Sequence, residues 1–158
     1  MKFIINASPI IFLAKIQMIE HLPDLFDEII IPTGVFNEVI AHDDEASRWI
    51  KNCGKQYLCE PGSIPGSIYA WDLGRGETEV IASALNVKDC AVGLDDQAAR
   101  SCALSYQLKI IGTIGLILHA QKTGVISDGE PYLNKLIESG YRISESLLQH
   151  ALGLMRKL

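Results

Sequence analysis

The sequence predicts an α/β fold in three layers, α/β/α, with a central parallel sheet of about four to five strands. Three observations carry this. Short apolar runs, Phe3-Ile4-Ile5, Ile29-Ile30-Ile31, Ala91-Val92-Gly93-Leu94 and Lys109-Ile110-Ile111, alternate with longer segments of helical periodicity. The runs are apolar on consecutive residues, as strands buried on both faces require. No hairpin signal joins neighbouring runs, so helical crossovers connect parallel strands. With 158 residues and a hydrophobic fraction of 48%, the chain can fill one core. The expected organisation is a single domain over 1–158 with a helical extension at about 128–158.

In order, Phe3-Ile4-Ile5 is a buried strand ending at Asn6. Ser8 reads as an N-cap and Pro9 as the first residue of a helix over 9–16. A second helix over 18–26 breaks near Pro23, and the next strand stops at Pro32. Thr33 caps a helix through Val35, Phe36, Val39 and Ile40. Glu38 has apolar neighbours at helical spacing, which puts it near the buried face, where a carboxylate is costly without a partner. Residues 43–53 read as a helix, 55–60 as a short strand, and 61–67, rich in Pro, Gly and Ser, as a loop.

A helix opens at Leu73-Gly74-Arg75-Gly76-Glu77-Thr78-Glu79 and runs to about Leu85, with Glu79 read as an exposed helix residue. Asp95 and Asp96 follow the third clear strand, and a helix runs over 97–106. Gly112-Thr113 turns the next strand into a helix over 114–122 ended by Gly124. Helices over 130–139 and from 145 follow, the first closed by Gly140 and the second capped by Ser144. The last helix carries Leu147, Leu148, Ala151, Leu152 and Met155 as a stripe that fits either the sheet or a second copy of the chain.

A net charge of -5 gives no electrostatic argument for duplex DNA binding, although metal held by carboxylates inverts a local field. The four cysteines, at 53, 59, 90 and 102, form no C-x-x-C pair and read as reduced thiols. The apolar start is interrupted by Asn6, Pro9 and Lys15 and reads as strand–turn–helix rather than a signal peptide. No stretch is long and apolar enough to span a membrane, and the expected location is the cytoplasm.

Right-handed crossovers bring the strand ends to one edge, where open α/β sheets bind ligands. The polar residues expected there are Asn6, Ser8, Asp95, Asp96 and Thr113, with Glu38 and Glu77 leaning in from helices. Oxygen donors of this kind suit Mg²⁺ or Mn²⁺. Two such ions about 3.5–4 Å apart support phosphodiester cleavage. Taken singly, either Asp is more often a helix cap. Gly74-Arg75-Gly76-Glu77 matches neither the phosphate loop nor the dinucleotide pattern, and residues 62–66 are not a nucleophile elbow. Arg75 and Arg100 read as solvated charges more readily than as phosphate contacts.

Five pieces resemble, in family order, the PIN-domain proteins of the DUF3368 type. They are Asn6-Ala7-Ser8-Pro9-Ile10-Ile11, residues 30–39, residues 74–82, Leu94-Asp95-Asp96-Gln97-Ala98-Ala99-Arg100 and Ile111-Gly112-Thr113-Ile114-Gly115-Leu116, and the tail at Gly140-Tyr141-Arg142-Ile143-Ser144 is similar as well. The resemblance implies a divalent-metal ribonuclease cutting single-stranded RNA and kinship with the toxin half of toxin–antitoxin pairs, hence a small antitoxin that inserts a segment into the crevice. It implies catalytic and metal-binding roles for Glu38, Glu77 and Asp95 or Asp96, and supporting roles for the hydroxyls of Ser8 and Thr113. Asn6 falls where the family pattern has its first metal-binding Asp. An amide oxygen ligates without charge, so the alternative is an impaired PIN-like binding or scaffold protein, with Trp49, Tyr69, Trp71 and Tyr132 as candidate interface aromatics.

Overall fold

The computed structural model describes residues 1–158. Strand β1 (Lys2–Ile5) leads into α1 (Ala7–Lys15), a 3₁₀ turn (Ile19–His21) and the short α2 (Leu22–Leu25). Strand β2 (Glu28–Pro32) is followed by α3 (Thr33–Ile40), α4 (Glu45–Asn52), a second 3₁₀ turn (Gly54–Tyr57) and β3 (Leu58–Cys59). The one-turn α5 (Gly66–Tyr69) precedes α6 (Arg75–Ala84), β4 (Cys90–Gly93) and α7 (Gln97–Ser105). Strand β5 (Lys109–Ile110) and helices α8 (Thr113–Lys122), α9 (Glu130–Glu138) and α10 (Glu145–Met155) complete the chain.

The five strands are parallel, in the order β3-β2-β1-β4-β5. β1 is central, with Ile4 opposite Ile30 on one side and Val92 on the other. Successive strand side chains point to opposite faces, and Phe3, Ile4 and Ile5 are all fully buried, so helices cover both faces. α6 lies against β1, β2 and β4, and α1 packs on α3, α4 and α8. The order reverses between β1 and β4. Such a switch point opens a crevice beyond the carboxyl ends of the two strands.

Several boundaries differ from the sequence reading. Asn6, not Ser8, is the N-cap of α1. The Asn6 N–H completes the sheet by donating to Gly93 O (3.0 Å), and the helix begins at the next residue. Pro9 is tolerated at the third helical position because that N–H has no intrahelical acceptor either. Thr33 is the first residue of α3 rather than its cap, which is Pro32. Pro23 sits in the first turn of α2 and does not break it. Residues 54–57 form a 3₁₀ turn, leaving β3 only two residues long. Trp49 is buried against Tyr57 and is no surface anchor, while Tyr69 and Trp71 are exposed and Tyr132 is half-buried. All four cysteines are free thiols, and no helix is long and apolar enough to cross a membrane. Gly124 and Gly140 end α8 and α9 at φ +77° and +93°, a conformation that side chains with a Cβ rarely adopt.

Candidate active site

The switch point gathers the polar residues into two adjoining groups. The first lies around the start of α6. Asn6 is 5% exposed, and its Oδ1 has no hydrogen-bond partner. Gly76 passes so close that a Cβ placed on it would stand 3.1 Å from Asn6 Oδ1 and 3.1 Å from Glu38 Oε2. Two oxygens from α3 and the end of β1 therefore flank one point, open only because residue 76 is glycine. Glu38 is exposed, not near the buried face as expected. Val35 and Val39 occupy that face, and Glu38 sits at its rim, where the carboxylate stays hydrated.

Glu77 is the third residue of α6, and its Oε2 accepts from the Gly74 N–H at 3.3 Å, closing the helix start. Burial raises its carboxyl above the ordinary range; the charges of Asp96 and Glu38 add to this, and the Gly74 bond opposes it. Three acids from α3, α6 and the start of α7 thus feel one another. Asp96 caps α7 by accepting from the Ala99 N–H at 2.9 Å through Oδ2, and it is exposed. No three His, Cys, Asp or Glu side chains stand together as a group that could hold a metal ion. The remaining donor of this group is an amide.

The second group is a knot around Asp95. Its Oδ1 accepts from the Thr113 N–H (2.8 Å) and the Tyr141 hydroxyl (2.9 Å), and its Oδ2 from the Thr113 hydroxyl (2.6 Å) and the Ser8 hydroxyl (3.3 Å). An ionised carboxylate offers about four acceptor sites, and here all four are taken. Asp95 thereby ties α1, α8 and the segment after α9 to the end of β4. Arg100 Nη1 donates to Leu94 O (2.9 Å) and holds the same corner.

The sequence reading left Tyr141 without a role and placed Glu79 wrongly. Glu79 is 4% exposed. Its Oε2 accepts from the Gly34 N–H at 2.5 Å and its Oε1 from Arg75 Nε at 2.8 Å. A signal was available: residues 80–84 are small or apolar on every side, the mark of a helix buried all round. Tyr141 gave no such signal, because its partner lies 46 residues away.

The Tyr141 phenol is pushed above its ordinary range by burial, then by the charge of Asp95 and the hydrogen bond to it. A raised phenol contributes stability that is full below about pH 10 and is lost as pH rises further. Tyr141→Phe is therefore expected to cost about 1–2 kcal/mol at neutral pH. Denaturant unfolding across pH checks this: the gap to the parent protein should narrow above about pH 10.

A family model described as DUF3368: PIN domain matches residues 2–157. No curated protein matches the chain.

Proposed function

The chain belongs to the PIN-domain family, whose fold is nuclease-like, and on that footing we propose that it is a divalent-metal-dependent endoribonuclease cutting single-stranded RNA. One observation carries the proposal: Asn6 Oδ1, buried without a partner, and Glu38 Oε2 both border the gap above Gly76. An orphaned buried acceptor costs about 1–3 kcal/mol, and a hard cation would satisfy it. Glu77, whose ionisation is resisted by Asp96 and Glu38, supports the same reading.

The donors fit Mg²⁺ or Mn²⁺, which prefer oxygen ligands. Glu38 would hold the metal across the gap above Gly76 from Asn6, which contributes an uncharged oxygen, and Glu77 and Asp96 would add negative charge beside it. When bound, it supplies an activated water and charge neutralisation at the cleaved phosphodiester. Asp95, saturated by its four donors, is the organiser rather than a ligand. Ser8 and Thr113 serve it and set the position of α1 and α8. Gly76 keeps the space between the oxygens clear.

The finer reading is a cytoplasmic toxin of a toxin–antitoxin pair, restrained by a small antitoxin whose segment enters the crevice. A pairing of two copies along α10 has the exposure of Leu147 and Leu154 in its favour. One observation favours the second reading, a binding or scaffold protein of PIN type: the buried ligand position holds a neutral amide.

Cleavage of single-stranded RNA in a Mn²⁺ titration separates the two. The parent protein is expected to cut, and Asn6→Asp to reach the same rate at roughly 10–100-fold lower metal. Cleavage by Asn6→Asp alone would favour the binding protein. No cleavage by either would remove the nuclease reading.

A further inference from the structure

We propose that a pocket beside the carboxylates is a nucleobase subsite, in which Phe12 stacks the base next to the cleaved bond and Arg142 and Lys15 meet the flanking phosphate. This rests on the ribonuclease reading above. The pocket holds about 400 Å³ and is lined by Ser8, Asp95, Asp96, Phe12, Tyr141 and Arg142. Asp96 belongs to both the pocket and the acidic crevice, so an RNA strand with a phosphodiester at the acids has its next nucleotide at the pocket.

The lining suits a base. Phe12 is half-buried, whereas Ile10, Leu13 and Ala14 of the same helix point into the core. Its ring meets the Tyr141 ring edge to face, with centroids 5.0 Å apart and planes at 85°. Tyr141 is itself fixed by its bond to Asp95, and the turn at Gly140 brings Tyr141 and Arg142 over this edge. The aromatic wall is therefore set before any ligand arrives, which lowers the ordering cost of binding. Lys15 Nζ lies 5.2 Å from the centre of the Phe12 ring. An exposed lysine over a ring is a weaker contact than a stacked base, so a base displaces it and frees the ammonium for phosphate.

Charge points the same way. Lys15 and Arg142 are exposed and take part in none of the protein's ion pairs. In a chain of net charge -5 whose crevice is acidic, cations beside an aromatic ring are what would draw in a polyanion. Aromatic rings interleaved with cations are the means by which proteins hold unpaired strands. A guanidinium matches a phosphate with two parallel hydrogen bonds.

The test is a single-stranded RNA oligomer containing 2-aminopurine, titrated with the protein in Ca²⁺ and followed by fluorescence and anisotropy. Stacking in the pocket should quench the fluorophore. Phe12→Leu, which keeps an apolar side chain, should abolish the quench and weaken binding roughly ten-fold. Arg142→Gln should weaken binding while keeping the quench. It alters an exposed residue and serves if Phe12→Leu unfolds. Binding without quenching, or equal quenching by Phe12→Leu, overturns the subsite and leaves the ribonuclease reading intact if the Mn²⁺ assay shows cleavage. Quenching without cleavage removes the ribonuclease reading and overturns the subsite as a place beside a cleaved bond, leaving Phe12 a base contact of a binding protein. If the parent protein neither binds nor cuts RNA, both fall.

Discussion

Glu38→Ala is expected to lower metal-dependent RNA cleavage by roughly 100-fold or more with little change in stability. Removing a group that only supports a ligand typically costs about 10–100-fold, and Glu38 would be a ligand. The neighbouring oxygen, Asn6 Oδ1, is neutral and cannot replace the lost anion. Stability should move by no more than about 0.5 kcal/mol, because Glu38 is exposed and accepts no hydrogen bond within the protein. Its loss also removes one of the charges that hinder ionisation of Glu77. Initial rates across a Mn²⁺ titration, paired with an unfolding curve, check both halves. An unchanged metal dependence in the variant would mean that the cation sits elsewhere.

Glu79→Ala is expected to do the reverse, costing about 2–3 kcal/mol of stability through a residue outside the proposed metal site. The Gly34 N–H is one of the orphan donors in the first turn of α3, and Glu79 on α6 supplies its acceptor. Alanine leaves that donor buried and bare. Removing one member of a fully buried ion pair costs about 3–5 kcal/mol. The lower figure applies here because the Arg75 side chain is 67% exposed and regains water. For a chain of this size the loss lowers the melting temperature by roughly 5–10 °C. Glu79→Gln, which can still accept from Gly34, should recover most of it. Gly34→Ala should mimic the loss, since its Cβ would stand 2.7 Å from Glu79 Oε2. Thermal unfolding of the three variants decides the matter, and a wild-type melting curve for Glu79→Ala would sink the argument.

The layers, the parallel sheet and the family were legible in the sequence because each follows from local pattern. Apolar runs of strand length mark a sheet buried on both faces, and Gly124, Gly140 and Ser144 mark helix ends through their own backbone preferences or side chains. Helix starts after β1 and β2 were misplaced because Asn6 and Pro32 cap by backbone geometry alone, with no side-chain bond to betray them. Around the crevice, the acids stand out by residue type, but their surroundings are set by hydrogen bonds between distant segments. Asp95 and Asp96 are chain neighbours with opposite surroundings, one saturated by donors from α1, α8 and Tyr141, the other open beside Glu77. Glu38 and Glu79 were read with their exposures reversed. Helical spacing gives a residue's direction around its own axis, but not which neighbouring helix stands there. Glu79 points at α3, whereas Glu38 points at a gap kept open by Gly76.

The central place of β1 has a consequence for synthesis. Its edge toward β2 can close early, but its other edge waits for β4, where Ile5 pairs with Gly93, 88 residues later. At about 5–20 residues per second, that interval is roughly 4–18 s. Throughout it the nascent chain carries Phe3, Ile4 and Ile5 on a strand with one unpaired edge, the kind of surface on which chains aggregate. A ribosome that stalls before β4 emerges therefore holds a sticky half-sheet rather than a partly finished fold.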